Sequence, residues 1–207
     1  MNSTELTRTE RSTLFDGDEA TENESLDRLH TELERRADEL GLLDIAYRTV
    51  DTPVGPLLLA STARGLVRVA FDRESHDGVL EELARRISPR VVRSPAKLSD
   101  AAREIDEYFA GARHHFDIRL DLSLSSGFRR AVLDHLPRIA YGQTESYAQV
   151  AAAAGSPRAV RAVGTACAKN PLPVVVPCHR VVRSDGSAGG YVGGEEAKRT
   201  LLELEAV

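Results

Sequence analysis

Residues 146–182 read SYAQVAAAAG, SPRAVRAVGTACAKN and PLPVVVPCHRVV, and this stretch decides the architecture of the C-terminal part of the chain. The first two segments read as helices joined by a tight turn at Gly155. Ser156 suits an N-cap and Pro157 the first helical position, so a helix-turn-helix is predicted, with Ala159 to Lys169 as its second helix. In that helix Val160, Val163 and Cys167 fall on one face, which makes Cys167 a small buried apolar residue, and Arg161, Thr165 and Ala168 fall on another. Arg161 is flanked by Ala159, Ala162 and Gly164, whose small side chains would let the helix approach a nucleic-acid groove closely. The same geometry serves in proteins that bind no DNA, where such an arginine is a solvated surface charge.

The third segment carries the chemistry. Pro171, Pro173 and Pro177 fix φ and remove backbone donors, so this apolar run is a rigid path rather than an interior strand, and it presents Cys178. A thiol attacks as its thiolate, which an unperturbed cysteine populates only slightly at neutral pH, so an adjacent base is expected. His179 is that neighbour, acting directly or through a bridging water. Adjacency of Cys and His alone is a weak signal.

Working outward, FRRAVLDHLPRI (128–139) reads as a helix and Gly142 as a turn. Residues 44–122 form a small α+β unit: DIAYRTV, PLLLAST and LVRVAF read as strands, with a turn at Thr52 to Gly55, and HDGVLEELARRI and LSDAAREIDEYFAG as helices. The adjacent His114 and His115 read as a surface turn, not a metal site. Further upstream Leu26, Leu29, Leu33, Ala37 and Leu40 share a helical face before Gly41, which predicts a helix covering the edge of the next domain. Residues 1–24 are polar and acidic and read as a disordered tail. The expected fold class is α+β: tail 1–24, helical extension 25–43, a small N-terminal sheet-and-helix domain 44–122, and a mainly helical C-terminal domain 123–207 with the helix-turn-helix.

A chain of 207 residues can bury a core without staples, and its two cysteines can build neither a disulfide framework nor a cysteine-rich zinc site. The first twenty residues lack the features of a secretory signal, and no apolar run approaches the roughly 20 residues a membrane span needs, so a reducing cytoplasm is the expected compartment. The net charge of −5 at first opposes a nucleic-acid partner, but its distribution does not: residues 1–45 carry −8, residues 46–126 balance, and residues 127–207 carry +3. The only basic third is the one with the helix-turn-helix.

The run PVVVPCHRVVRSDGSAGGYVGG (173–194), preceded by SYAQVAAAAGSPRAVRAVGTACAKNP and followed by EEAKRTLLELE, closely resembles the methylated-DNA–protein-cysteine methyltransferases, the O6-alkylguanine-DNA alkyltransferase family. The match runs in register from about Phe128 to Glu205. TPVGPLLLAST and EYFAG resemble pieces of the family's N-terminal domain, while residues 1–43 have no counterpart in its minimal form. The resemblance implies direct-reversal DNA repair, in which a methyl or larger alkyl group passes from O6 of guanine, with O4-alkylthymine a further possible substrate, to Cys178, once per molecule.

The resemblance also implies roles. His179, polarised by Glu205, would activate Cys178 through a water, and Asn170 would order the turn between the recognition helix and the cysteine loop. Tyr147, beside Ser146, would donate a proton or hydrogen bond to the departing guanine and crowd the 3′ phosphate. Arg161 would fill the gap left by the flipped nucleotide, with Ala159, Ala162 and Thr165 on the helix in the minor groove. Backbone at Cys178, Val181, Val192 and Gly193, with the Tyr191 ring, would line the base pocket. Val192 stands where the family often has serine, which removes a side-chain hydrogen bond to the base, and Leu133 where it often has an aromatic residue. No cofactor or metal is implied, because residues 1–126 lack the cysteines of the zinc-binding members. The expected partner is double-stranded DNA carrying alkylated bases, bound by a monomer. The competing readings are a lesion-sensing DNA-binding protein or a regulator without efficient transfer, which Cys178 opposes, and a cysteine hydrolase, for which no oxyanion hole is signalled.

Overall fold

Four strands make the sheet that supports the rest: β1 (Ile45–Val50), β2 (Leu57–Thr62), β3 (Gly65–Phe71) and β4 (Val91–Arg93), in the order β3-β2-β1-β4. The computed structural model describes residues Ser25, Arg28, Leu29, 32–37 and 39–206, so the tail expected over 1–24 lies outside the described residues. The chain divides into residues 1–43 and 44–207. In the first unit the described residues from Ser25 to Glu39 are helical, Glu32 pairs with Arg35 and Arg36 one turn on, and Leu29, Leu33 and Leu40 are exposed.

In the second unit β1 to β3 form an antiparallel meander and β4 joins β1 in parallel. Leu57, Leu58, Leu59 and Ala60 are all buried, as a central strand covered on both faces requires. Ile45, Leu58, Ala60, Val67 and Ala70 form a core cluster with Val79 and Leu83 of α1 (His76–Arg86). The strand β4 was not foreseen, because three residues are too few to show alternation. Helix α2 (Ser99–Phe109) follows and buries Ala101, Ala102, Ile105 and Tyr108 on the side that its apolar spacing marks. The chain then returns to the free side of β3, where Leu66 exchanges hydrogen bonds with Arg119 O and Asp121 N. A side chain at Gly65 would collide with the Arg119 carbonyl, and its φ of +134° also favours glycine.

The remainder is mainly helical: α3 (Gly127–His135), α4 (Tyr147–Ala153), α5 (Val160–Ala168) and α6 (Glu195–Glu205), with two short parallel strands, β5 (Glu145–Ser146) and β6 (Val181–Val182). Pro137 turns the end of α3 into a 3-10 segment, Leu136–Arg138, as its missing N–H requires. Ser146 and Gln149 form a capping box at the start of α4, a Ser-x-x-Gln signal present in the sequence. Gly155, at φ +78°, makes the turn of the helix-turn-helix.

Two details correct the sequence reading. The helix α5 starts at Val160 with Ala159 as its cap, because Ser156 to Ala159 closes a turn through Ala159 N–H to Ser156 O (2.8 Å); Ser156 is therefore not the cap. Val160, in the first turn, is exposed, and Ala166 joins Val163 and Cys167 on the buried face instead. Among the described residues no helix is long and apolar enough to cross a membrane.

Candidate functional site

The proline-rich path after α5 is neither helix nor extended strand; it winds through turns to a 3-10 segment, Cys178–Arg180. Its backbone is held from both sides. Val69 N–H of β3 donates to Pro171 O (2.8 Å), which ties the loop to the N-terminal sheet. Asn170 closes the loop on itself: its Oδ1 accepts from Leu172 N–H (3.0 Å) and its Nδ2 donates to Val176 O (2.8 Å). These two bonds fix the orientation of the amide, and the same Nδ2 then lies 3.2 Å from Cys178 Sγ. Val174, a β-branched residue at φ +72°, is in the left-handed region that such residues avoid, and it is fully enclosed within this loop. Nothing in the sequence pattern announced that strain.

Cys178 is 2% exposed. Burial pushes its thiol up to about 11, against the opposing pull of the Asn170 amide and the Lys198 ammonium. At neutral pH only about one thiol in ten thousand would then be ionised, so attack requires a base that takes the proton.

His179, the next residue, is the base the sequence offers there. Its Nε2 lies 2.9 Å from Glu205 Oε1 and the whole ring is buried. Burial alone would raise Glu205, but hydrogen bonds from His179 and Arg180 bring its carboxyl down to about 2. An ionised carboxylate only accepts, so Nε2 carries the imidazole proton and Nδ1 presents a lone pair. That Nδ1 is buried with no partner of its own. Burial lowers the pKa of His179 more than Glu205 raises it, which keeps the ring neutral.

Arg180, quoted in the sequence motif without a role, completes the cluster. Its Nε and Nη2 bind both oxygens of Glu205 (2.8 and 2.9 Å), and its Nη1 donates to Ile139 O (2.6 Å). The carboxylate also accepts from Tyr108 Oη at 2.6 Å. Gly142 lies against the last turn of α6: a Cβ there would stand 2.7 Å from Glu205 O, and its φ is +72°. Helical spacing puts Ala197, Leu201 and Leu204 on one face of α6. Ala197 and Leu201 are buried, but Leu204 is only half-buried, and Lys198 and Glu205 take the remaining inward positions. Polar side chains sit inward there because each is satisfied: Lys198 Nζ donates to Val181 O (2.6 Å) and to Ala188 O, joining β6 to the glycine-rich loop.

The residues expected at a base pocket gather around this centre. Val181 is buried, Val192 and Gly193 are half-buried, and the Tyr191 ring stands edge-on to His179 (6.3 Å) and to Phe71 (5.6 Å). Phe71 was not foreseen; it comes from the end of β3 and leaves no room for a side chain at Gly193. Tyr147 is half-buried, and its hydroxyl lies 2.8 Å from the place a Cβ would occupy at Gly189. Ser146 is spent on the capping box. On α5, Arg161, Ala162 and Thr165 are exposed and Ala159 is half-buried, so this face is open to a partner.

Two family models match the chain: "6-O-methylguanine DNA methyltransferase, DNA binding domain" over residues 127–207, and "6-O-methylguanine DNA methyltransferase, ribonuclease-like domain" over residues 45–122. The chain is 40% identical over 161 residues to the methylated-DNA–protein-cysteine methyltransferase of Mycobacterium bovis, covering 78% of this chain and 92% of that one. It is 38% identical over 162 residues to the constitutive enzyme of that name from Bacillus subtilis, covering 78% and 95%. Among solved structures, the O6-methylguanine methyltransferase of Mycobacterium tuberculosis superposes with a TM-score of 0.69 at 38% identity, over 78% of this chain and 93% of that one. The Mycobacterium tuberculosis OGT in complex with DNA superposes with a TM-score of 0.67 at 40% identity, over 78% and 92%.

Proposed function

The chain belongs to the methylated-DNA–protein-cysteine methyltransferase family, and we propose that it repairs O6-alkylguanine in double-stranded DNA by taking the alkyl group onto Cys178. The observation that carries this reading is the buried Cys178 thiol, held by Asn170 and followed directly by a neutral His179 that is oriented by an ionised Glu205. A cysteine followed by an imidazole that a carboxylate orients is the arrangement that activates a thiol by taking its proton.

An alkyl carbon on O6 cannot be reached by a thiol while the guanine is stacked in the duplex, so the nucleotide has to turn out into the pocket beside Tyr191. The helix α5 presents the exposed Arg161 for the vacated place in the stack, with the small Ala162 and Gly164 allowing close approach in the minor groove. The Cys178 proton passes to His179 Nδ1 through a water, and the sulfur attacks the alkyl carbon in line. The S–C bond forms as the C–O6 bond breaks, and the electron pair of the broken bond stays with the guanine. Tyr147 donates to the departing base, since burial raises its phenol and keeps it protonated. The thioether is stable, so each molecule acts once. The protein works as a monomer in the cytoplasm, and the same chemistry would extend to O4-alkylthymine.

Intact-protein mass spectrometry after mixing with duplex DNA containing O6-methylguanine tests this reading. One methyl adduct per chain, on the Cys178 peptide, is expected. An unmodified protein after the lesion has been bound would overturn it in favour of a lesion sensor.

A further inference from the structure

We propose that Tyr108, contributed by the N-terminal sheet-and-helix domain, is a positioning residue for the transfer reaction: its hydroxyl shares the charge of Glu205 and so holds the His179 imidazole in its neutral form. The inference rests on the alkyl-transfer reading above and adds to it a role for the domain that carries neither the nucleophile nor the helix-turn-helix.

Tyr108 lies 97 residues before Glu205 in sequence, yet its Oη is 2.6 Å from Oε1, the oxygen that also faces His179 Nε2 and Arg180 Nη2, each at 2.9 Å. Three donors thus share one carboxylate oxygen, and each reduces what remains for the others. The phenol is fixed in place: Tyr108 is fully buried at the end of α2, with Phe109, Phe116 and Tyr141 around its ring at 5.3, 5.2 and 6.2 Å. Burial and the neighbouring carboxylate hold its proton on, so it acts only as a donor toward Glu205.

Charged and titratable groups reach Glu205 and His179 from several elements. Glu205 meets Tyr108 from α2, Tyr141 from the turn before α4, whose hydroxyl donates to Leu204 O, and His179 and Arg180 from the cysteine loop. His179 in turn faces Tyr191 edge-on, with Cys178 beside it in the chain and Lys198 on the inner side of α6. Arg180 already neutralises the carboxylate formally, so the phenol is the adjustable contribution. Without it, Glu205 would stabilise the imidazolium more strongly, and His179 would become protonated at a higher pH, where it can no longer accept the thiol proton.

The test follows the His179 imidazole nitrogens by 15N NMR against pH in the unmodified full-length protein, and in parallel the rate of methyl transfer from O6-methylguanine DNA. In Tyr108→Phe the His179 midpoint and the acid limb of the rate profile should both rise by about 0.5–1 pH unit, the size expected for losing one hydrogen bond to a charged acceptor. Ile105→Val, which thins the same helix's buried face, should lower the melting temperature without moving either midpoint. If Tyr108→Phe does not fold, 3-fluorotyrosine placed at position 108, a stronger donor of nearly the same shape, should move the His179 midpoint down. An unmoved His179 midpoint in the folded Tyr108 variant, or an equal shift in Ile105→Val, overturns the inference. Failure of the wild type to accept a methyl group would instead strike the functional reading, while the NMR midpoint still decides the role of Tyr108.

Discussion

Asn170 and Cys178 are joined by a 3.2 Å contact from the amide nitrogen to the sulfur, and the same amide nitrogen also holds the carbonyl of Val176 in the loop between them. One side chain therefore shapes the loop and faces the nucleophile. The donor favours the thiolate, while burial, the larger effect, opposes it.

Asn170→Asp separates the two roles. The acceptor for Leu172 N–H survives, but a carboxylate now faces both the Val176 carbonyl and Cys178. Replacing a donor by a like charge raises the thiol further, and one pKa unit corresponds to about a tenfold loss of thiolate. The expected outcome is a transfer rate at neutral pH lower by at least about 10-fold, measured by methyl uptake. Asn170→Ala should in addition lose roughly 1–3 kcal/mol of stability in denaturant unfolding, because the buried Leu172 N–H loses its partner while Val176 O keeps only Cys178 N–H.

Glu205→Gln should slow alkylation near neutrality and recover as pH rises and the thiol ionises unaided. An amide does not stabilise the imidazolium that forms when His179 takes the proton. Superimposed rate–pH profiles for two folded proteins would remove Glu205 from the activation of Cys178. The same residue predicts a stability change in acid. Its carboxyl stands at about 2 in the folded protein against an ordinary value of 4.5. A depressed carboxyl stabilises the fold fully above its unfolded pKa, and the contribution is lost as pH falls from about 4.5 through about 2. Chemical denaturation across that window should show wild type losing on the order of 3 kcal/mol more than Glu205→Gln.

Cys178→Ser should abolish transfer and retain DNA binding, since the nucleophile is buried in its loop and the exposed groups on α5 are Arg161, Ala162 and Thr165. Arg161→Ala should behave in the opposite way, keeping the thiol chemistry while weakening extrusion of the base by roughly a few kcal/mol. Transfer from free O6-alkylguanine base against transfer from duplex DNA separates the two variants. Unchanged repair of duplex DNA by Arg161→Ala would remove the role assigned to it.

Deleting residues 1–24, which hold seven acidic residues against two arginines, should leave the transfer rate nearly intact and raise DNA affinity at low salt. The gain should fade as ionic strength rises, because the repulsion it relieves is screened. A binding titration at two salt concentrations measures it.

The amino-acid sequence determined those features that depend on neighbours along the chain. Gly155 and the apolar spacing on either side of it specify the helix-turn-helix, the three prolines specify a rigid loop, and the motif around Cys178 and His179, more than their adjacency, points to the chemistry. Where the reading slipped, at the start of α5, a hydrogen bond outweighed propensity: a Ser156 turn displaced the expected cap; on α6 the satisfied Lys198 side chain lies inward while Leu204 is only half-buried. Only the tertiary structure decided what surrounds the carboxylate. Tyr108 from α2 and the adjacent His179 and Arg180 from the cysteine loop converge on Glu205 of α6, and Val69 and Phe71 of the N-terminal sheet reach the cysteine loop and the pocket. No periodicity records such contacts, because a buried charge is stabilised by whichever donors the packing of distant elements brings within about 3 Å of it.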